Sequence, residues 1–374
     1  MDNRERIVSL RLELYEELTQ NILPYWIKLR DNQYGGYYGR VTGKEELDKE
    51  APKGAVLQSR ILWTFSAAAR ILRNKKYLDY AANAKDFILE KMYDKTCGGI
   101  FWSVDHKGNI ADPRKQFYAL GFALYGLSEY HRATGDPVAL EKAIALFNDI
   151  ETHSYDKIYG GYLEATDRDW SEIRDLRLSA KDANEKKTMN THLHILEPYT
   201  NLFRVWKDPG LELALARLIE VFLDKIVNPK THHLSLFFDE EYHVKGSGLS
   251  YGHDIEASWL LMEAARELAD YKPGVYGALL SRVTEESKNI AYAALKGLQP
   301  DGSLIYEVES SGRIDKTRHW WVQAETVVGL YYLYAWHKVP HALDMAINCW
   351  FYIKENLRDN QNGEWFWSPG NTTD

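Results

Sequence analysis

The chain has 374 residues, with 54 acidic against 46 basic side chains and a formal net charge of −8. That balance argues against nucleic acid or an anionic membrane as partner. A hydrophobic share of 45% supports a large core rather than a disordered chain.

Cys97 and Cys349 stand far apart with no CxxC spacing, so neither a disulfide framework nor a zinc ribbon is indicated. No signal core opens the chain and no apolar stretch reaches the ~18 residues of a membrane span. These features point to a soluble, cytoplasmic protein.

In chain order the pattern is a repeat. Residues 4–28 read as a helix and lead into the run YGGYYGRV (34–41). Helical patterns over 56–72 and 76–92 precede CGGIFWSV (97–104), and patterns over 116–133 and 138–152 precede YGGYLEAT (159–166). Residues 187–206 and 211–226 lead to HHLSLFFD (232–239), 255–271 and 275–298 to DGSLIYEV (301–308), and 320–337 and 342–357 to NGEWFWS (362–368). The six runs recur about every 60 to 75 residues, and each is long enough only for a small hairpin turned by its glycines. Turns such as Gly135-Asp136-Pro137 and Asp208-Pro209-Gly210 split the helix pairs.

The two members of each pair differ. Helices after a glycine-aromatic run are apolar almost all round, and those before it carry a charged face, so the first kind is buried and the second faces solvent. The expected architecture is all-α: an (α/α)6 barrel of helical hairpins with short β-hairpins in the loops at one end. No linker or composition break divides residues 1–374, so a single domain is expected. Six outer helices but five inner ones can be written, so the last inner helix is expected to be missing from the sequence and the chain shortened at its C-terminus.

Polar side chains near the starts of inner helices converge on one cavity. His253 and Glu256 share a helix face in SYGHDIEASWLLM, which places an imidazole beside a carboxylate and suggests acid–base chemistry. Asn190 and His194 are four apart, whereas His192 is turned about 200° from His194. The cavity is therefore expected to see Asn190 and His194, with His192 packed outward. Pro198 should disturb the helix near the carbonyl of residue 194. Arg60 requires a carboxylate or a ligand oxygen, because a guanidinium does not sit unpaired in an apolar wall. Trp321 and Glu325 lie one turn apart, and Tyr118 and Asp182 are further candidates. Two histidines of an HxH pair plus His253 lack a further ligand at recognisable spacing, and no phosphate-binding glycine loop is present. No metal or other cofactor is expected.

In SRILW (59–63), NTHLHILE (190–197), SYGHDIEASWLL (250–261) and WWVQAETVVG (320–329), the chain resembles the cellobiose 2-epimerases of the N-acylglucosamine 2-epimerase superfamily. The likeness runs over nearly the whole chain. It implies reversible inversion at C2 of the reducing-end glucose of β-1,4-linked disaccharides such as cellobiose or lactose, with manno-oligosaccharides as further substrates; separately from the resemblance, a monomer is expected. By the same resemblance Arg60 contacts substrate oxygens, Asn190 and His194 bind the sugar and assist ring opening, and His253 is one of two acid/base residues, with Glu256 setting its protonation. Trp320 and Trp321 match the ring-stacking position, and Tyr118, Asp182 and Glu325 complete the expected substrate contacts. The family's second catalytic histidine lies in a WKCPYH-like motif that has no counterpart in this sequence. An aldose–ketose isomerase or N-acylglucosamine/mannose 2-epimerase shares the same intermediate. An inverting glycoside hydrolase, which would use two carboxylates, or a non-catalytic sugar-binding protein is the more distant alternative.

Overall fold

Helices alternate with glycine-turned aromatic segments throughout the computed structural model, which describes residues 2–370. The first helix runs unbroken through α1 (Asn3–Glu16), a π-helical turn (Glu17–Ile22) and α2 (Leu23–Lys28). There follow α3 (Ala55–Ile71), α4 (Tyr77–Phe87), α5 (Phe117–Thr134), α6 (Pro137–His153), α7 (Met189–Phe203) and α8 (Pro209–Val221). The last four are α9 (Tyr251–Tyr271), α10 (Pro273–Ala294), α11 (Trp320–Ala335) and α12 (Ala342–Asn356). Among the described residues no helix is long and apolar enough to cross a membrane.

Helices α3, α5, α7, α9 and α11 pack side by side in that order, each backed by the outer helix that follows it. Their composition explains the arrangement. Between Phe117 and Tyr130 of α5, every residue is buried except Tyr118 and Tyr125. Along α7 only Asn190 and Glu197 escape burial. A helix covered on nearly all sides belongs inside, and the residues seven apart that stay open mark the stripe facing the lumen. Outer helices begin where the turn signals placed them. Asp136 and Asp208 each accept backbone N–H groups of the first turn, with Pro137 and Pro209 just behind them.

The aromatic runs close one end of the barrel. Equivalent antiparallel bridges tie Arg30 to Tyr37, Tyr93 to Ile100, Tyr155 to Tyr162, Val227 to Leu234, Leu298 to Leu304 and Arg358 to Trp365. Short strands just before the inner helices then pair with the aromatic run of the next repeat. Lys53–Gly54 pairs with Ser103–Val104, Lys115–Gln116 with Ala165–Thr166, Lys187–Thr188 with Phe237–Phe238, and Leu249–Ser250 with Glu307–Val308. Successive hairpins are thus stapled at the same end. The helix expected over 187–206 starts at Met189 for this reason: Lys187 is spent in a strand, and its amine reaches Asp156 at 2.7 Å.

A polar residue in the first turn of an inner helix fixes the neighbouring aromatic turn. Gln58 accepts the Tyr37 N–H, Asp254 the Leu234 N–H and Gln323 the Leu304 N–H. His192 is the same device in α7. It is fully buried and turned outward, its Nε2 accepting the Tyr162 N–H at 3.0 Å while Nδ1 faces the Thr188 carbonyl. At the opposite end, Arg70 and Arg132 converge on buried Glu129, and Arg204 meets Glu263 and Glu267.

Among the described residues the inner ring comprises these five helices and is open between α11 and α3. A cavity of about 660 Å3 lies there, lined by Leu57, Ile61, Phe65, Arg60, Trp320 and Trp365 among others. The outer ring is closed behind it. Glu13 accepts from Trp350 at 2.9 Å, and Glu17 from Trp365 at 2.8 Å.

His192 must stay neutral, since protonation would set a second N–H against that of Tyr162. Burial accordingly pushes its pKa down to about 4. The folded state therefore binds fewer protons than the unfolded chain between pH 6.5 and 4, and His192 costs stability as the pH falls through that window. His192→Gln, the residue type already used in α3 and α11, should fold and flatten the acid side of a plot of denaturation midpoint against pH. His192→Ala, which orphans the Tyr162 N–H, should cost on the order of 1–3 kcal/mol at pH 7.

Candidate active site

The lumen of the barrel holds the polar residues that the inner helices leave uncovered. From α3 comes Arg60, its guanidinium 4.3 Å from the Phe122 ring and reached by water through the cavity although protein surrounds it. Burial works against its charge, but Tyr118, Glu197 and Glu256 hold it in place. Tyr118 of α5 stands edge-on to His194, ring centroids 5.0 Å apart. Burial raises the Tyr118 phenol above its ordinary value, against the pull of Arg60, so it remains a donor.

Helix α7 supplies Asn190 and His194, and its Asn190 side-chain oxygen has no protein partner. His194 is 4% exposed. Its Nδ1 is 3.5 Å from Glu197 and its Nε2 3.8 Å from Glu256, and burial lowers its pKa, so the ring is neutral. Pro198 does not break the helix. It withholds the N–H that would have bonded the His194 carbonyl, and α5 approaches that carbonyl closely at Gly121. A Cβ on Gly121 would lie 2.3 Å from the His194 oxygen. The proline and the glycine together set the height of His194 in the cavity.

Helix α9 contributes His253 and Glu256 from its first two turns. Ser250 caps this helix through the His253 N–H, and the same hydroxyl is 2.8 Å from His253 Nδ1, which leaves Nε2 to the cavity. Trp321 flanks the ring at 4.9 Å. Burial pushes the His253 pKa down to about 3, and the nearness of His194, which disfavours a second charge, adds to it. Glu256 was expected to set the protonation of His253. The structure gives that contact to Ser250, while Glu256, on the same face of α9, reaches across the lumen to His194 at 3.8 Å.

Helix α11 separates its two tryptophans. Trp321 faces His253, while Trp320 packs with Trp350 and Trp365 and borders the cavity that Arg60 opens into. One turn on, Glu325 accepts from Trp259 Nε1 at 2.9 Å. Burial lifts Glu325 to about 7 and Glu256 well above the ordinary carboxylate range, with Glu325 and Glu197 adding to the latter. Asp182 sits on the loop between the strands at 165–166 and 187–188, its carboxylate accepting the Ser179 N–H at 2.8 Å. It lies near enough to influence Glu164 and Tyr306 at the mouth, not the two lumen histidines.

The site also contains groups that the sequence reading passed over: Glu197, Tyr125, Trp259 and Ser250. Glu197 and Tyr125 carried a signal, since each lies seven residues beyond a candidate (Asn190 and Tyr118) on the same stripe. Ser250 carried the N-cap signal. Trp259 carried none, because an indole in an apolar helix reads as core. Together the lumen offers a guanidinium, phenols and two neutral imidazoles around one hollow, a set suited to moving protons on a neutral polyhydroxyl ligand.

Known proteins resemble this chain over most of its length. Residues 36–370 match the model of the N-acylglucosamine 2-epimerase (GlcNAc 2-epimerase) family. The chain is 54% identical over 361 residues to a cellobiose 2-epimerase of Bacteroides fragilis, covering 96% of this chain and 91% of that one. A cellobiose 2-epimerase of Dictyoglomus turgidum is 38% identical over 359 residues, covering 96% and 90%. The structure of cellobiose 2-epimerase from Bacillus thermoamylovorans superposes with a TM-score of 0.92 at 39% identity, over 98% of this chain and 92% of that one. A D-mannose isomerase at 17% identity and TM-score 0.82 shares the fold.

Gly121→Ala tests how His194 is seated. The added methyl must part α5 from α7, so a loss on the order of 1–3 kcal/mol is expected in chemical denaturation. The same change at Gly274, where a Cβ would meet nothing, should not destabilise.

Proposed function

This chain belongs to the N-acylglucosamine 2-epimerase family, and we propose that it is a carbohydrate epimerase that reversibly inverts C2 of the reducing-end glucose of β-1,4-linked disaccharides. Cellobiose would give glucosyl-mannose, and lactose would give epilactose. The observation that carries the reading is the pair His194 and His253: two neutral imidazoles, from different inner helices, facing one lumen beside Arg60. The relatives of known activity supply the substrate class.

The geometry supports a sequence of proton transfers. A C2 proton becomes acidic only after the pyranose opens, when the C1 aldehyde can take up charge as an enediolate. Ring opening needs a proton removed from O1 and one delivered to O5. His194, bracketed by Glu197 and Glu256, is placed for that exchange. His253, with Nδ1 engaged by Ser250 and Nε2 free, is suited to take the C2 proton or return it. Inversion then requires a second group across the cavity from His253, so that hydrogen leaves one face and arrives on the other. Arg60 and the protonated Tyr118 are donors for the developing oxyanion. Trp321, beside His253, offers a flat apolar face to the sugar ring.

Incubation with cellobiose in D2O tests the reading directly. Deuterium should appear at C2 of both the remaining cellobiose and the glucosyl-mannose formed. In His253→Ala the exchange should fall by about 10²–10⁴-fold, the usual contribution of a general base. Exchange at the unaltered rate would remove His253 from that role. A ketose product would assign an aldose–ketose isomerase instead, and free glucose a hydrolase.

A further inference from the structure

Glu197 flanks His194 in the lumen but is assigned no step of its own in the chemistry above. It lies on α7 one turn beyond His194, on the stripe that includes Asn190, and is one of the two α7 side chains left uncovered. Its Oε2 is 3.5 Å from His194 Nδ1, an atom with no hydrogen-bond partner at strict geometry. Contacts of this kind in an empty site are often long and tighten when the ligand closes over them. The Tyr125 phenol lies against the same carboxylate.

The ring has few alternatives. Tyr118 and Phe122 of α5 pack it at 5.0 and 4.9 Å between centroids. Glu256 of α9 faces Nε2 at 3.8 Å, and the nearest cation is Arg60 of α3, whose charge opposes a proton on the ring. Glu197 is therefore the acceptor on one edge of a neutral imidazole that can carry its single proton on either nitrogen.

We propose that Glu197 is a positioning residue for His194: its carboxylate holds the imidazole as the Nδ1–H tautomer and leaves Nε2 as the basic atom, turned toward Glu256 and the sugar. The proposal rests on the epimerase reading for its functional consequence, not for its geometry. Glu256 faces Nε2 from the other side at 3.8 Å, its carboxyl raised by burial well above the ordinary range. A proton taken at Nε2 then has the Glu197 carboxylate behind it as a counter-charge. The arrangement is that of a histidine oriented by an acceptor on its far nitrogen.

Two measurements test this. In protein carrying ¹⁵N-labelled histidine, with His194→Asn used to assign the signal, His194 should show a protonated Nδ1 and an unprotonated Nε2 at pH 7. Glu197→Gln should shift the balance toward Nε2–H, and Glu197→Asp should keep it partly. In cellobiose turnover, Glu197→Gln should lower kcat about 10- to 100-fold with KM within about twofold, and move the acid limb of the kcat–pH profile, with Asp restoring part of the rate. An Nε2–H tautomer in the unaltered protein, or a Glu197→Gln variant with unchanged tautomer, overturns the proposal. If the unaltered protein shows the Nδ1–H tautomer yet no exchange at C2 of cellobiose, the epimerase reading fails and the positioning stands.

Discussion

Three lysines with no solvent exposure hold the rim of the cavity in register. Lys53, Lys115 and Lys187 sit in the strands that precede α3, α5 and α7, and their amines meet Asp31, Asp94 and Asp156 in the glycine turns of the same repeats. Burial drives the Lys115 and Lys187 amines down. It would also raise Asp94, but Arg168, Lys115 and backbone N–H groups outweigh it and keep that carboxyl well below its usual range, so the pair is ionic. A buried charge without its partner costs on the order of 3–5 kcal/mol, so neither segment can slip without the other. The starts of three inner helices are thereby fixed, and with them Arg60, Tyr118, Asn190 and His194. Around α9 the rim contact is His233 on Asp254 at 2.6 Å.

Within that frame the lumen favours neutral groups. Burial raises Glu256 and Glu325 and depresses His194 and His253, so carboxyls tend to keep their protons and imidazoles to lose theirs. Arg60 is the charge that remains beside Glu197. A site of this kind suits a neutral sugar whose charge develops only during reaction, because donors already aimed at the cavity need not reorganise when it appears. The protonation states of these groups come from environment rather than from residue type alone.

The inner helices reconcile two demands. They must be apolar nearly all round to pack in a ring, yet each must present a few polar groups at defined heights. Spacing of seven residues meets both, as Tyr118 with Tyr125 and Asn190 with Glu197 show. Height is then adjusted by backbone: Pro198 frees the His194 carbonyl, and Gly121 lets α5 close on it.

Much of this was legible in the chain. Helices, turns and the repeat are written in local terms, by periodicity, capping aspartates and glycines, and any reader of 3.6-residue spacing can turn His194 to one face and His192 to the other. The inner or outer rank of each helix follows from how much of its circumference is apolar. What tertiary structure alone decided is which side chains meet across the lumen. Glu256 faces His194 rather than His253, Trp320 and Trp321 part company, and Asp182 stays on its loop. Such contacts depend on the rotation and height of five separately anchored helices, and those are set by long-range pairs such as Lys187 with Asp156 and His194 with Gly121, which no local pattern encodes.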